Sequence, residues 1–236
     1  MPNYLWQRLG AASGIVYVVL LVGPELIQGG PSEEPTMTAA EAIAHSCAIT
    51  TAAQPTDAVI PILHALGYLI FLFFLGSLWS ALRRAEGADG WLSAAAFGGG
   101  LVSLAVKFAS GAASVAANFN ACAGIDPQLW QVLQDMNNAS FFFSFLPLAV
   151  LSAASAVVAI RFGAPLPRWL GWMSAVVAVA LLVDGFAGTL YPRDVGLSFL
   201  LFMLWTLAAS IALVRRAGVS HSAVSNAAAT PPSVAP

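Results

Sequence analysis

The stretch WLSAAAFGGGLVSLAVKFASGAASVAA, residues 91–117, decides the fold. Its 27 residues carry a single ionisable side chain, Lys107, and no proline. A helix needs about 20 apolar residues to cross the hydrocarbon core of a bilayer. Backbone groups that face lipid have no water to bond, so a run this apolar satisfies them internally as a helix. A barrel strand would show alternating polarity instead.

Five further stretches read the same way: Leu9–Ile27, Ala58–Leu82, Ala139–Ile160, Trp169–Leu190 and Gly196–Val214. The expected fold is therefore an all-α bundle of six transmembrane helices over residues 1–216, followed by a disordered tail, 217–236. Composition agrees. Of 236 residues, 59% are hydrophobic and 8% charged, where a soluble domain carries about 25% charge. Nine basic, eleven acidic and two cysteine residues exclude a nucleic-acid binder working through a basic surface and a disulfide-rich miniprotein. A cleaved signal peptide competes for the first span, but Gly23-Pro24-Glu25-Leu26-Ile27-Gln28-Gly29 offers no A-x-A site, so a retained helix is expected. The Ala/Ser/Pro-rich tail cannot bury enough apolar surface to order itself.

Orientation follows from the arginines, because basic residues near span ends stay on the cytoplasmic side. With both termini inside, Arg8, Arg83, Arg84, Arg161, Arg168, Arg215 and Arg216 are cytoplasmic and only Arg193 is outside. Trp6, Trp91, Trp169 and Trp172 then sit at the inner interface. The expected location is the cytoplasmic membrane, with a multi-pass topology.

The same topology places Cys47 in the first outer loop and Cys122 in the second, on the oxidising face, and predicts a disulfide between them. No C-x-x-C motif supports a thiol-redox enzyme. The outer loops are expected to hold short surface helices. Asp126 is a good N-cap and Pro127 a good first residue for a helix whose apolar face is Leu129, Trp130, Leu133 and Met136.

Ionisable residues inside a bilayer are costly, which makes them functional candidates. Here they are Glu25, His64, Lys107 and Asp184. Helix rise puts Glu25 ~26 Å, Lys107 ~24 Å and Asp184 ~24 Å above the cytoplasmic ends, with His64 ~9 Å below the outer end of its span. One shared level predicts a polar cavity that opens outward. Gly100, Ser103, Lys107, Gly111, Ser114 and Asn118 recur at three- and four-residue spacing and form one small, polar helix face. Asn118 joins the ligand-binding candidates on that ground. Asp184 is followed by Gly185 and Gly188, and an ion pair with Lys107 is the structural alternative to a ligand site. An internal repeat with an offset of 78 aligns Arg83 with Arg161, Trp91-Leu92 with Trp169-Leu170, and Phe108-Ala109 with Phe186-Ala187. Pro147 interrupts span four and Pro24 ends span one.

Missing parts narrow the chemistry. The chain has no G-x-x-x-x-G-K-[ST] and no H-E-x-x-H, and Gly98-Gly99-Gly100 lies inside a span without the strand a dinucleotide turn requires. A single histidine within the spans, His64, cannot supply bis-histidine haem ligation. No cofactor, metal site or catalytic residue is assigned.

The run Gly10-Ala11-Ala12-Ser13-Gly14-Ile15-Val16-Tyr17-Val18-Val19-Leu20, the segment Leu78–Gly87, the start Trp91–Gly100 and Leu166-Pro167-Arg168-Trp169-Leu170-Gly171-Trp172 resemble small polytopic membrane proteins of actinobacteria of unknown function. The resemblance implies a bacterial membrane and a six-helix bundle, and carries over no functional residue. The leading expectation is a binding or transport-type protein taking a small or lipophilic ligand, with the lipid bilayer as surroundings and no nucleic-acid partner. A membrane-embedded enzyme using Asp184 or Glu25 on a lipid or isoprenoid is the second, since a lone carboxylate without a matched partner is thin support for catalysis. An accessory subunit of a larger complex is the third.

Overall fold

A computed structural model of the chain describes residues 2–27, 38–52, 55–163, 166–190 and 197–229. Their regular structure is helical: α1 Pro2–Ile27, α2 Ala39–Ala52, α3 Pro55–Glu86, α4 Trp91–Phe119, a 3-10 turn Ala121–Ala123, α5 Pro127–Phe143, α6 Phe145–Phe162, α7 Arg168–Leu190 and α8 Leu197–Ala229. Among the described residues, six helices are long and apolar enough to cross a membrane. They are α1, α3, α4, the run of α5 into α6, α7 and α8. The first outer loop from 28 to 37, with Glu33 and Glu34, lies outside the described residues, as do Pro192 and Arg193.

The fourth span differs from the expected boundary at Ala139. One helical rod runs from Pro127 to Phe162, broken only at Ser144. Pro147 is the cause. Its ring displaces the carbonyl four residues earlier, on Phe143, and it has no N–H to offer that carbonyl. The break therefore falls between them. Up to the break the α5 ladder is intact: the Ser144 N–H donates to the Ser140 carbonyl at 3.0 Å and its hydroxyl to the Phe141 carbonyl at 2.6 Å. The Asp126 cap forms as its residue type predicts: Oδ1 accepts from the Gln128 and Leu129 amides at 2.9 and 3.1 Å.

The C-terminal segment also departs from expectation. Helix α8 continues to Ala229, so 217–229 is helical backbone where a disordered tail was expected. Five of those thirteen residues are alanine, the strongest helix former, and the helix already running through Val214 removes the cost of nucleation.

Packing relies on close backbone approach, because lipid chains are as apolar as leucine and offer no hydrophobic drive for helices to associate. Gly98-Gly99-Gly100 shows how finely this is set. A Cβ on Gly99 would lie 2.5 Å from the Pro147 carbonyl oxygen and 3.0 Å from the Leu151 amide, so α4 and α6 touch backbone to backbone there. Gly100 faces Leu75 of α3, and Gly98 faces open space. One triplet thus serves two interfaces and a free surface. At the centre, Phe71, Phe74, Phe202 and Trp205 are buried, with the Phe202 and Trp205 rings stacked 5.6 Å apart. Trp205 Nε1 donates to Ser174 Oγ at 2.6 Å, and that hydroxyl donates to the Leu170 carbonyl, which ties α8 to α7 without leaving the indole N–H unsatisfied.

Helix starts are capped from a distance as well as locally. Gly90, at the N-cap of α4, has no side chain to offer. Glu86 reaches across the turn instead, its two oxygens accepting from the Leu92 and Ser93 amides at 2.8 Å each. At α2, Thr38 and Glu41 form a reciprocal capping box. Hydrogen bonds from the Thr38 amide and hydroxyl hold the Glu41 carboxyl below its ordinary value.

Two measurements check these accounts. Gly99→Ala should destabilise the purified protein by about 1–3 kcal/mol, the cost of overpacking, whereas Gly98→Ala should be neutral or slightly stabilising by thermal unfolding in detergent. For Glu41, a folded value below the unfolded one means that its contribution is present above the ordinary glutamate range and lost as pH falls through the folded value. Hydrogen-exchange protection at Ala42 should accordingly drop in acid, and Glu41→Gln should lower it at all pH and abolish the transition.

Candidate functional site

The ionisable candidates do not converge. Lys107, on α4, places Nζ 3.5 Å from the centroid of the Phe141 ring. An ammonium over an aromatic face keeps an electrostatic partner in a region without water. Asp184, on α7, accepts from the Ser198 amide at 3.3 Å. Ser198 is the second residue of α8, so the carboxylate caps that helix and faces the positive end of its dipole. Among the described residues no ion pair joins Lys107 to Asp184, which corrects the pairing that matched depth suggested. The aromatic end of α5 stands between them. Phe141 covers Lys107, while the ring of its neighbour Phe142 packs into the space left by Gly188, and Leu146 into that left by Gly185, beside Asp184.

Asn118 is also committed elsewhere. Its Oδ1 accepts from Gln134 Nε2 at 3.1 Å, and Gln134 Oε1 accepts from Ser114 Oγ at 2.8 Å. This bridge fastens α4 to α5. Gln134 went unnoticed as a candidate because it lies on the polar side of a helix read for its apolar face. Ser114 and Asn118, one turn apart on a polar stripe, were the signal for a partner of amide type. His64 is partly buried on α3, and Glu25 lies within α1 with its side chain outside the described residues. The small, polar face of α4 is divided between packing against Leu75 at Gly100, the Phe141 contact at Lys107 and the Gln134 bridge, so it does not line one chamber.

This end of the bundle is closed covalently. Cys47 of α2 and Cys122 of the 3-10 turn form a disulfide with Cα atoms 4.9 Å apart, as expected from the sequence.

A cavity of about 980 Å³ lies at the opposite end, where the start of α1 meets the ends of α3 and α8. Along α3 its wall is Ile70, Phe73, Ser77, Ser80 and Arg84, which recur at three- and four-residue spacing and so share one helix face. Trp6, Leu9 and Gly10 supply the α1 wall, and Leu213 and Arg216 the α8 wall. Phe73 and Trp6 are 68% and 72% exposed, so the cavity is a groove open at its side rather than a closed chamber. Gly76 lines it, and a Cβ there would meet nothing within 4 Å. Arg84 donates from one guanidinium nitrogen to Ser80 Oγ at 3.2 Å. The neighbouring Arg83 stands over the Trp79 ring, 5.8 Å from its centroid, and does not line the groove.

No protein-family model, curated protein or solved structure matches the chain. The site is therefore read from its residues.

Because the aromatic end of α5 separates Lys107 from Asp184, a double-mutant cycle of Lys107→Met and Asp184→Asn should be additive to within about 0.5 kcal/mol in thermal stability. A cycle of Lys107→Met with Phe141→Leu should instead show coupling of about 0.5–2 kcal/mol.

Proposed function

We propose that the chain is a multi-pass membrane protein of the binding or transport type, and that its ligand is lipophilic and lies in the groove between α1, α3 and α8. The observation that carries this reading is the groove itself. Its volume of about 980 Å³ stands at the upper end of the range of small-molecule sites. Most of its lining residues are apolar or small, with Gln7, Ser13, Ser77, Ser80, Arg84 and Arg216 as the polar groups, which suits an amphiphilic ligand. Gly76 is a second support, since a glycine facing open space in the groove wall leaves volume that a larger residue would fill. The outward-opening polar cavity expected around Glu25, His64, Lys107, Asp184 and Asn118 has less support, because the described partners of Lys107, Asp184 and Asn118 are three different neighbours.

In the same reading both termini are cytoplasmic, the protein sits in the cytoplasmic membrane, and α2 and α5 cover the outer side. The arginine asymmetry of seven to one supports that orientation. So does the disulfide at the far end from the groove, since such bonds persist on an oxidising face.

Mass spectrometry of lipids extracted from the purified protein should show an amphiphile retained after delipidating washes, and Gly76→Trp should remove it without lowering the melting temperature of the lipid-free protein. Equal retention by Gly76→Trp would overturn the groove as the site. Reporter fusions after Arg84 and Arg216 should read cytoplasmic and those near Glu34 and Pro192 external, and an external reading at Arg84 would overturn the orientation.

A further inference from the structure

We infer that the groove takes an anionic phospholipid from the leaflet on the arginine-bearing side, and that Arg84 and Arg216 hold its phosphate. This deepens the proposed function and rests on it. The first argument is length. Fourteen residues of α3 separate Ile70 from Arg84, about 21 Å of helix rise. One leaflet of the hydrocarbon core is about 15 Å deep. The groove therefore covers a single leaflet and its interface, the dimensions of one lipid rather than of a channel through both.

The second argument is the order of side chains along that length. Along α3, Ile70 and Phe73 lie farthest from the arginine end, Gly76 and Ser77 come between, and Ser80 and Arg84 lie at that end, where Arg216 of α8 joins the lining. The walls thus change from apolar to cationic in the same direction as a lipid changes from tail to headgroup. Basic pockets between membrane helices at the interface are suited to acidic headgroups for this reason.

The third argument is charge. Among the described residues, the cavity lining contains no aspartate or glutamate. Glu86, the nearest carboxylate in sequence on α3, is held by the Leu92 and Ser93 amides at the start of α4. Of the other arginines on the three helices, Arg83 is directed to Trp79, and Arg8 and Arg215 do not line the groove. The described lining thus includes two guanidinium groups from separate helices, Arg84 and Arg216. Guanidinium is planar, weakly hydrated and geometrically matched to two phosphate oxygens, so a pair at the mouth favours phosphate over a neutral or zwitterionic headgroup. Ser80 orients Arg84 from one turn below by accepting one of its five N–H donors.

The test uses the full-length protein in nanodiscs or mixed micelles with phosphatidylglycerol or phosphatidylcholine of identical acyl chains, read by native mass spectrometry. Phosphatidylglycerol should be retained at least tenfold better. The double variant Arg84→Gln, Arg216→Gln should lose that preference while still retaining lipid, and Arg83→Gln should keep it. Gly76→Trp, with both arginines intact, should lose phosphatidylglycerol retention, which locates the site in the groove should the double arginine variant fold poorly. Equal retention of the two lipids, with Gly76→Trp still blocking both, would overturn the anionic headgroup while leaving the groove as a lipophile site. Retention unaffected by Gly76→Trp would overturn the groove reading itself. Displacement by millimolar inorganic phosphate alone, to the same extent as by the lipid, would show a free anion site and overturn the lipid as occupant.

Discussion

A backbone amide in hydrocarbon has no water to bond, and every other feature of this bundle is arranged around that fact. It forces the spans to be helical and makes any break in a helix expensive. The one clear break among the described spans, at Ser144, sits three residues before the proline that requires it, and the serine's amide and hydroxyl bond the Ser140 and Phe141 carbonyls of the preceding turn. Across the break α5 continues into α6 as one long rod. It thereby brings three consecutive phenylalanines, Phe141 to Phe143, to the level of the ionisable residues on α4 and α7.

That placement decides the polar interactions of the bundle. Lys107 and Asp184 could pair only across the space the phenylalanines fill. Each satisfies its charge with the nearest alternative, an aromatic face for the ammonium and the start of α8 for the carboxylate. Where helices do meet closely they meet at small residues, because the gain comes from dispersion between well-fitted surfaces rather than from exclusion of water. Gly99 meets the α6 backbone itself, while its neighbours in the triplet face a leucine side chain and open space.

The two ends of the molecule are built differently. One is tied by the Cys47–Cys122 disulfide and covered by α2 and α5, whose own capping groups are satisfied locally. The other carries arginines at helix ends and leaves a groove open at its side. A disulfide-closed end and an open basic end fit the proposed reading, in which a ligand enters from the bilayer at one interface. The polar and ionisable residues nearer the closed end join helices through the Ser114–Gln134–Asn118 bridge, the Asp184 cap and the Lys107 contact.

Residue type alone determined the helical class, the number of spanning helices, the Asp126 cap and the cysteine pair, because each follows from local composition, spacing or a count of crossings. Residues 91–117 can be nothing but a helix in lipid, and two cysteines on one side of the membrane need only proximity. Tertiary structure decided which side chains meet. Depth along a helix is legible from rise per residue, but rotation about the axis and the identity of the intervening helix are not. Lys107 and Asp184 share a level and still have different partners, because α5 and α6 pack between their helices. The groove was hidden for the same reason. Trp6, Phe73, Arg84 and Arg216 lie far apart in sequence, and only the packing of α1, α3 and α8 brings them around one volume.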